Sequence, residues 1–90
     1  MLVLPSDLVQ GTATQSLQVL SQALANAPEA QVTVDASALA RFDSTALAVC
    51  LELRRLSTSA DKTLAWQGMP SRLLDVARLY GIAELLPAQV

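Results

Sequence analysis

The run Gln31-Val32-Thr33-Val34-Asp35 constrains this chain more than any other stretch. Three β-branched residues in a row are stiff at χ1 and suit a pleated strand. Asp43-Ser44-Thr45 follows after a short link and opens an apolar segment of helical period. A strand that feeds a helix must come back to the sheet. Repetition of the unit then fixes parallel pairing with right-handed crossovers.

The unit does repeat. Met1–Leu4 is a short apolar run stopped by Pro5 and reads as a first strand. Thr12 or Thr14 opens a helix to about Asn26, with Leu17, Leu20 and Leu24 inward and Val19 and Ala23 beside them. Gln15, Gln18, Gln22 and Asn26 occupy its opposite face, and Pro28 lies just past its end. The second helix spans about Ser44 to Ser57 or Thr58. Ala46, Val49, Cys50, Leu53 and Leu56 recur at core spacing, and Ala48, Glu52 and Arg55 mark the solvent side. Thr63–Trp66 is a third strand ended by Gly68. Pro70 starts a last helix, Ser71 to about Tyr80, with Leu73, Val76, Ala77 and Tyr80 inward and Gly81 as its C′ residue. Ile82–Leu86 is expected to close against the body. The expected fold is α/β in the order β-α-β-α-β-α: a small mixed or parallel sheet with helices packed on it. It forms a single domain over residues 1–90, since the chain has 90 residues and no linker or repeat.

Composition narrows the function. Six basic and eight acidic residues give a net charge of −2, and with one each of Phe, Trp and Tyr there is no basic, aromatic surface for nucleic acid. Histidine is absent and Cys50 stands alone, so the usual zinc sites and His-based triads are excluded. Gly11, Gly68 and Gly81 are isolated, so there is no Gly-rich phosphate loop. The expectation is a chain that is not an enzyme and carries no cofactor or metal. A lone cysteine fits a reducing compartment, no apolar run reaches the roughly 18 residues of a membrane span, and the start lacks a basic leader. Together these point to the cytoplasm without direct membrane insertion. An apolar content of 52% and a mean hydropathy of +0.40 admit two readings: a partly partner-facing surface, or simple alanine richness.

The candidate site is the start of the second helix. Asp43, Ser44 and Thr45 place three oxygen-bearing side chains where free N–H groups and the helix dipole favour negative charge. Ser44 or Asp43 also serves there as an ordinary N-cap. The residue three after Ser44 is Leu47, not Glu or Gln, so no capping box completes it. A phosphate on Ser44 would add about −1.5 to −2 charge beside Asp43, and would chiefly alter partner binding. Leu47, Leu51, Arg54 and Thr58 form a line along the helix flank. Leu47 and Leu51 are either core flank or an apolar contact for a partner, with Arg54 or Arg55 at its rim. Cys50 reads as a small buried hydrophobe and Trp66 as core packing. Asp35 and Asp43 are too far apart along the chain to be read as a catalytic pair.

The segments "VTVDASAL", "RFDSTALAVCLELRRL", "TLAWQGM" and "RLLDVARLYGIAELL" resemble STAS domains, the fold of anti-sigma-factor antagonists and of transporter-associated domains. Together with the opening "LVLPSDL", they look closest to the MlaB group, the small cytoplasmic STAS subunits of Mla phospholipid-transport ABC complexes. The family's Asp-Ser/Thr-x-Gly turn falls on Asp43-Ser44-Thr45, with Ala46 where the family has Gly. The resemblance implies that Ser44 is the regulatory hydroxyl. It also implies a non-catalytic subunit, peripheral to the inner membrane, that binds and regulates or stabilises an MlaF-type ABC transporter ATPase. Through that ATPase it would meet a permease that maintains outer-membrane lipid asymmetry. The alternative it implies is an anti-sigma-factor antagonist switched by phosphorylation of Ser44. Many STAS domains carry a further N-terminal strand for which this chain has no room, so one sheet edge is expected to be open or covered by a partner.

Overall fold

The computed structural model describes residues 2–82 and Glu84. Its elements run β1 (Leu2–Val3), β2 (Asp7–Leu8), α1 (Ala13–Asn26), β3 (Gln31–Asp35), β4 (Arg41–Phe42), α2 (Thr45–Ser59), β5 (Thr63–Gln67) and α3 (Ser71–Leu79). The main sheet has the order β1-β3-β5, and both of its pairings are parallel. The register sets Leu2 opposite Val34 and Val34 opposite Trp66. One row of buried apolar side chains therefore crosses the sheet. Along β3, Val32 and Val34 are buried while Gln31 is exposed, the period of two expected of a strand with one core face.

The alternation of strand and helix holds, with two additions. The two-residue strands β2 and β4 pair in parallel as a separate small sheet. The Ser6 carbonyl accepts the Ala40 and Arg41 N–H groups at 2.8 and 2.9 Å and ties the two loops together. Segments this short carry no periodic signal. Arg41 and Asp7, opposite in register, form an exposed ion pair at 3.8 Å.

Helices α1 and α2 pack on each other, α1 against β1 and α2 against β5. Leu20, Leu24, Ala46, Val49, Cys50, Leu53, Leu73 and Ala77 join the strand residues in one core, and Leu17, Leu56 and Val76 pack half-buried at its margin. Trp66, 1% exposed, is the largest fully buried side chain. Burial also pushes the Cys50 thiol up to about 12.

One inward assignment, Tyr80, is corrected, and the two positions set beside the α1 stripe are exposed. Val19 is 63% exposed and Ala23 is exposed. The core stripe of α1 is satisfied by Ala13, Leu17, Leu20 and Leu24, which turns the flank holding Val19 outward. Tyr80 is 59% exposed although its dihedrals are still in the helical region and its N–H bonds the Val76 carbonyl at 3.1 Å, so the inward stripe of α3 stops at Ala77. Ile82 packs against the core, while residues 83 and 85–86 of the expected closing segment lie outside the described residues.

Candidate functional site

All three strands of the main sheet run the same way, so the turns that lead into the helices gather at their carboxyl ends. In open α/β sheets this is the edge where ligands and partners are met. The turns there are built by short-range bonds. The Asp35 carboxylate accepts the Ser37 N–H at 2.9 Å. The Ser37 side chain, then its backbone N–H, hold Asp35 below the ordinary carboxylate value. Gly68 crosses directly over this turn with φ +69°, and a Cβ there would lie 2.9 Å from the Ser37 Cβ. Only glycine combines that backbone angle with that approach.

At the start of α2 the three oxygen-bearing residues take different roles. Asp43 is the structural one. Its Oδ1 accepts the Thr45 N–H at 2.8 Å, and its Oδ2 accepts the Gln10 N–H at 3.3 Å. It therefore caps α2 and holds the loop leading into α1. The Thr45 backbone first and the Thr45 hydroxyl second lower its pKa, so it is ionised at neutral pH. Ser44 has helical dihedrals (φ −62°, ψ −18°) and its hydroxyl makes no capping bond. A residue already in the helical region points its Oγ away from the first-turn N–H groups, and Asp43 has taken the donor that a cap would use. Between the two candidate caps, the structure selects Asp43, and the Ser44 side chain faces solvent.

Leu47 and Leu51 separate. Leu47 is 3% exposed and belongs to the core, which corrects the reading of it as a surface contact. Leu51 is half-buried at the core margin. Ser44, Ala48, Leu51 and Arg55 follow one another at i, i+4, i+7 and i+11 and share a face roughly 16 Å long. Ala48 is exposed within it. The sequence line through Leu47 and Arg54 ran along the neighbouring flank, and Ala48 was missed as a site residue. Its signal is its place one turn beyond Ser44.

The two arginines diverge. The Nε of Arg55 donates to both Glu52 carboxylate oxygens at 3.1 Å, and its Nη2 donates to Oε1. This pair lowers the Glu52 pKa and raises that of Arg55. Arg54 turns instead toward a cleft of about 170 Å³ lined by Ser57, Thr58, Lys62 and Trp66. Adjoining the Ser44 face and sharing Ala48 with it, Thr14, Leu17, Thr45 and Glu52 line a shallow groove of about 310 Å³ between α1 and α2.

Asp35 and Asp43 sit in separate turns with separate partners, so they form no acid–base pair. Among the described residues no group of three or more His, Cys, Asp or Glu side chains is placed to hold a metal ion. None of the described helices is long and apolar enough to cross a membrane. What the site offers is a free hydroxyl at a helix start, followed by small and apolar side chains along one face: a surface for contact.

A family model described as "Mlab, STAS domain" matches residues 1–87. No curated protein matches the chain. The parallel three-stranded sheet and the three helices among the described residues, with a match over nearly the whole chain, place it in the STAS domain family, in its MlaB-like branch, among domains that bind and regulate.

Proposed function

We propose that this chain is a non-catalytic, cytoplasmic STAS subunit that docks on the ATPase of an ABC phospholipid transporter and stabilises or regulates it. The transporter would be one that maintains outer-membrane lipid asymmetry. The chain would then be peripheral to the inner membrane, reaching the permease only through the ATPase. The observation that carries this reading is the division of labour at α2. Asp43 and Thr45 hold the helix start between them, and Ser44 is left exposed with Ala48, Leu51 and Arg55 in line behind it. The MlaB-like family match supports a protein partner, and the transporter ATPase is the partner proposed for it. Arg54 and Arg55 would stand at the rim of the contact, where exposed charges tune association rate more than affinity.

A subunit of this kind acts by binding one state of its partner better than another, not by chemistry of its own. The test is to add the purified chain to the ATPase–permease complex and follow ATP hydrolysis and complex assembly. Wild type changes one or both. Leu51→Arg weakens the effect at least tenfold while the chain keeps its circular dichroism, because a half-buried flank position can turn a long side chain to solvent. Normal binding by a folded Leu51→Arg places the contact on another face.

The exposed Ser44 hydroxyl also favours the second reading, an anti-sigma-factor antagonist switched by phosphorylation, since a kinase needs that oxygen free. Affinity capture from native cytosol separates the two. An ATPase and permease recovered together support the first reading, and a serine kinase supports the second.

A further inference from the structure

Among the described residues, Arg41, Arg55 and Arg78 each pair with a carboxylate, those of Asp7, Glu52 and Asp75. Arg54 and Arg72 have no acidic partner there. Arg54 stands at i+10 from Ser44, about 15 Å along α2. Arg72 is exposed at the start of α3, and its guanidinium carbon sits 4.8 Å over the centre of the Phe42 ring. Phe42 precedes Ser44 by two residues, so at most about 7 Å of backbone separates them. The loop that carries Phe42 and the start of α3 enclose a pocket of about 340 Å³, lined by Leu39, Phe42, Pro70 and Arg72 among others. One charge lines it, and that charge is positive. Resting on the reading that the start of α2 is the ATPase contact, we propose that this contact continues over the pocket, and that the ATPase seats an acidic side chain there against Arg72.

Charge complementarity selects that chemistry. A guanidinium over an aromatic ring is held by the ring face, and this contact consumes none of its N–H donors. Among the described residues those donors make no hydrogen bond to the rest of the chain. An ordered planar fork with its donors unspent matches a carboxylate bidentately. The acids of the chain itself are engaged elsewhere. Asp75, three residues on, is bonded to Arg78 at 2.9 Å, and the first turn of α3 holds no acidic residue. The Asp43 carboxylate accepts the Thr45 and Gln10 N–H groups, and Arg41 answers Asp7. An acidic group brought up to Ser44 meets ionised Asp43. Arg72 offsets that repulsion and fixes where the group can sit, so the pair sets register as well as affinity.

Titration of the full chain against the ATPase–permease complex at several salt concentrations tests this. Wild-type affinity falls as salt rises. Arg72→Gln, with unchanged circular dichroism, binds at least tenfold more weakly at low salt and responds less to added salt. Arg78→Gln, whose charge is answered within α3, matches wild type. The acid itself is trapped by Arg72→Lys, because a carbodiimide joins an amine to a carboxylate. This variant is coupled through position 72 to an Asp or Glu of the ATPase, and Arg78→Lys gives no adduct at position 78.

Wild-type affinity in Arg72→Gln, or coupling at 78 and not at 72, overturns the proposal. If Ser44→Asp and Leu51→Arg weaken binding while Arg72→Gln does not, this inference falls and the contact at α2 stands. If Arg72→Gln weakens binding while the other two do not, the α2 reading falls, and with it the continuity claimed here. A wild-type chain that does not bind the ATPase removes both.

Discussion

The starts of α1 and α2 carry the same kind of residue and use it differently. At α1 the Thr12 hydroxyl accepts the Val9 N–H at 3.3 Å and donates to the Val9 carbonyl at 3.2 Å. The Thr12 N–H also bonds that carbonyl, at 3.0 Å, so the hydroxyl is engaged in closing its own turn, its one proton already donated. At α2 a carboxylate one residue earlier takes over the structural work, and the Ser44 hydroxyl is left out of it. A hydroxyl at a helix start is ordinarily there for the helix. One relieved of that role by its neighbour is available to something else, which is why the proposed contact is placed at α2 and not at α1.

The largest effect that sharpens this contrast lies beneath it. Leu47 anchors the first turn of α2 in the core, so Leu47→Ala should cost about 2–5 kcal/mol in chemical denaturation. Leu51→Ala, at the half-buried flank, should cost about 1 kcal/mol. Equal losses would show that the two leucines are not divided between core and surface.

Next comes the crossing that holds the neighbouring turn. Gly68→Ala forces a Cβ against Ser37 in a left-handed backbone and should cost about 1–3 kcal/mol. A neutral result would mean that the Asp35–Ser37 turn is not clamped.

Smaller in size, but closer to the comparison, is the pair at the helix start itself. Asp43→Ala should lower the melting temperature by a few degrees, because it removes the cap of α2 and the tie to Gln10 together. Ser44→Ala should leave the melting temperature unchanged. Thr12→Ala, which loses only a local turn bond, should fall between them.

The acid limb of stability gives the sign. Asp43 has a folded pKa below its ordinary 3.8, so its contribution is complete above that value. The contribution is lost as pH falls below 3.8 through the lower folded value. Asp43→Asn should flatten the unfolding curve in that window and leave its shape at neutral pH untouched. An unchanged acid limb would remove Asp43 from its capping role.

The sequence showed the architecture where period was long enough to read. Gln31–Asp35 is a strand with the bounds its β-branched run predicts, and α1 and α2 begin and end within a residue or two of their signals. It failed where two physical roles share one residue type. Val19 and Leu47 are both apolar residues beside a core stripe. Which of them turns inward depends on the tilt of each helix on its neighbours, and no single helix encodes that tilt. The two-residue strands β2 and β4 arise from a loop-to-loop contact through Ser6 and have no sequence signature of their own. At the site, Asp43-Ser44-Thr45 was visible as a cluster. That Asp43 holds the cap, and that Ala48 continues the face from Ser44, could be learned only once the side-chain bonds were in view.

The central claim is that Ser44 serves contact and not folding, and Ser44→Asp tests it most directly. A carboxylate at a helix start is tolerated or favourable by about 0.3–1 kcal/mol, whereas in an interface it must be desolvated beside ionised Asp43. Melting temperature and affinity for the transporter ATPase, measured on the same preparation, should part company: melting unchanged or slightly raised, affinity at least tenfold weaker. Unchanged affinity, or a loss of stability as large as the loss of binding, would contradict the account.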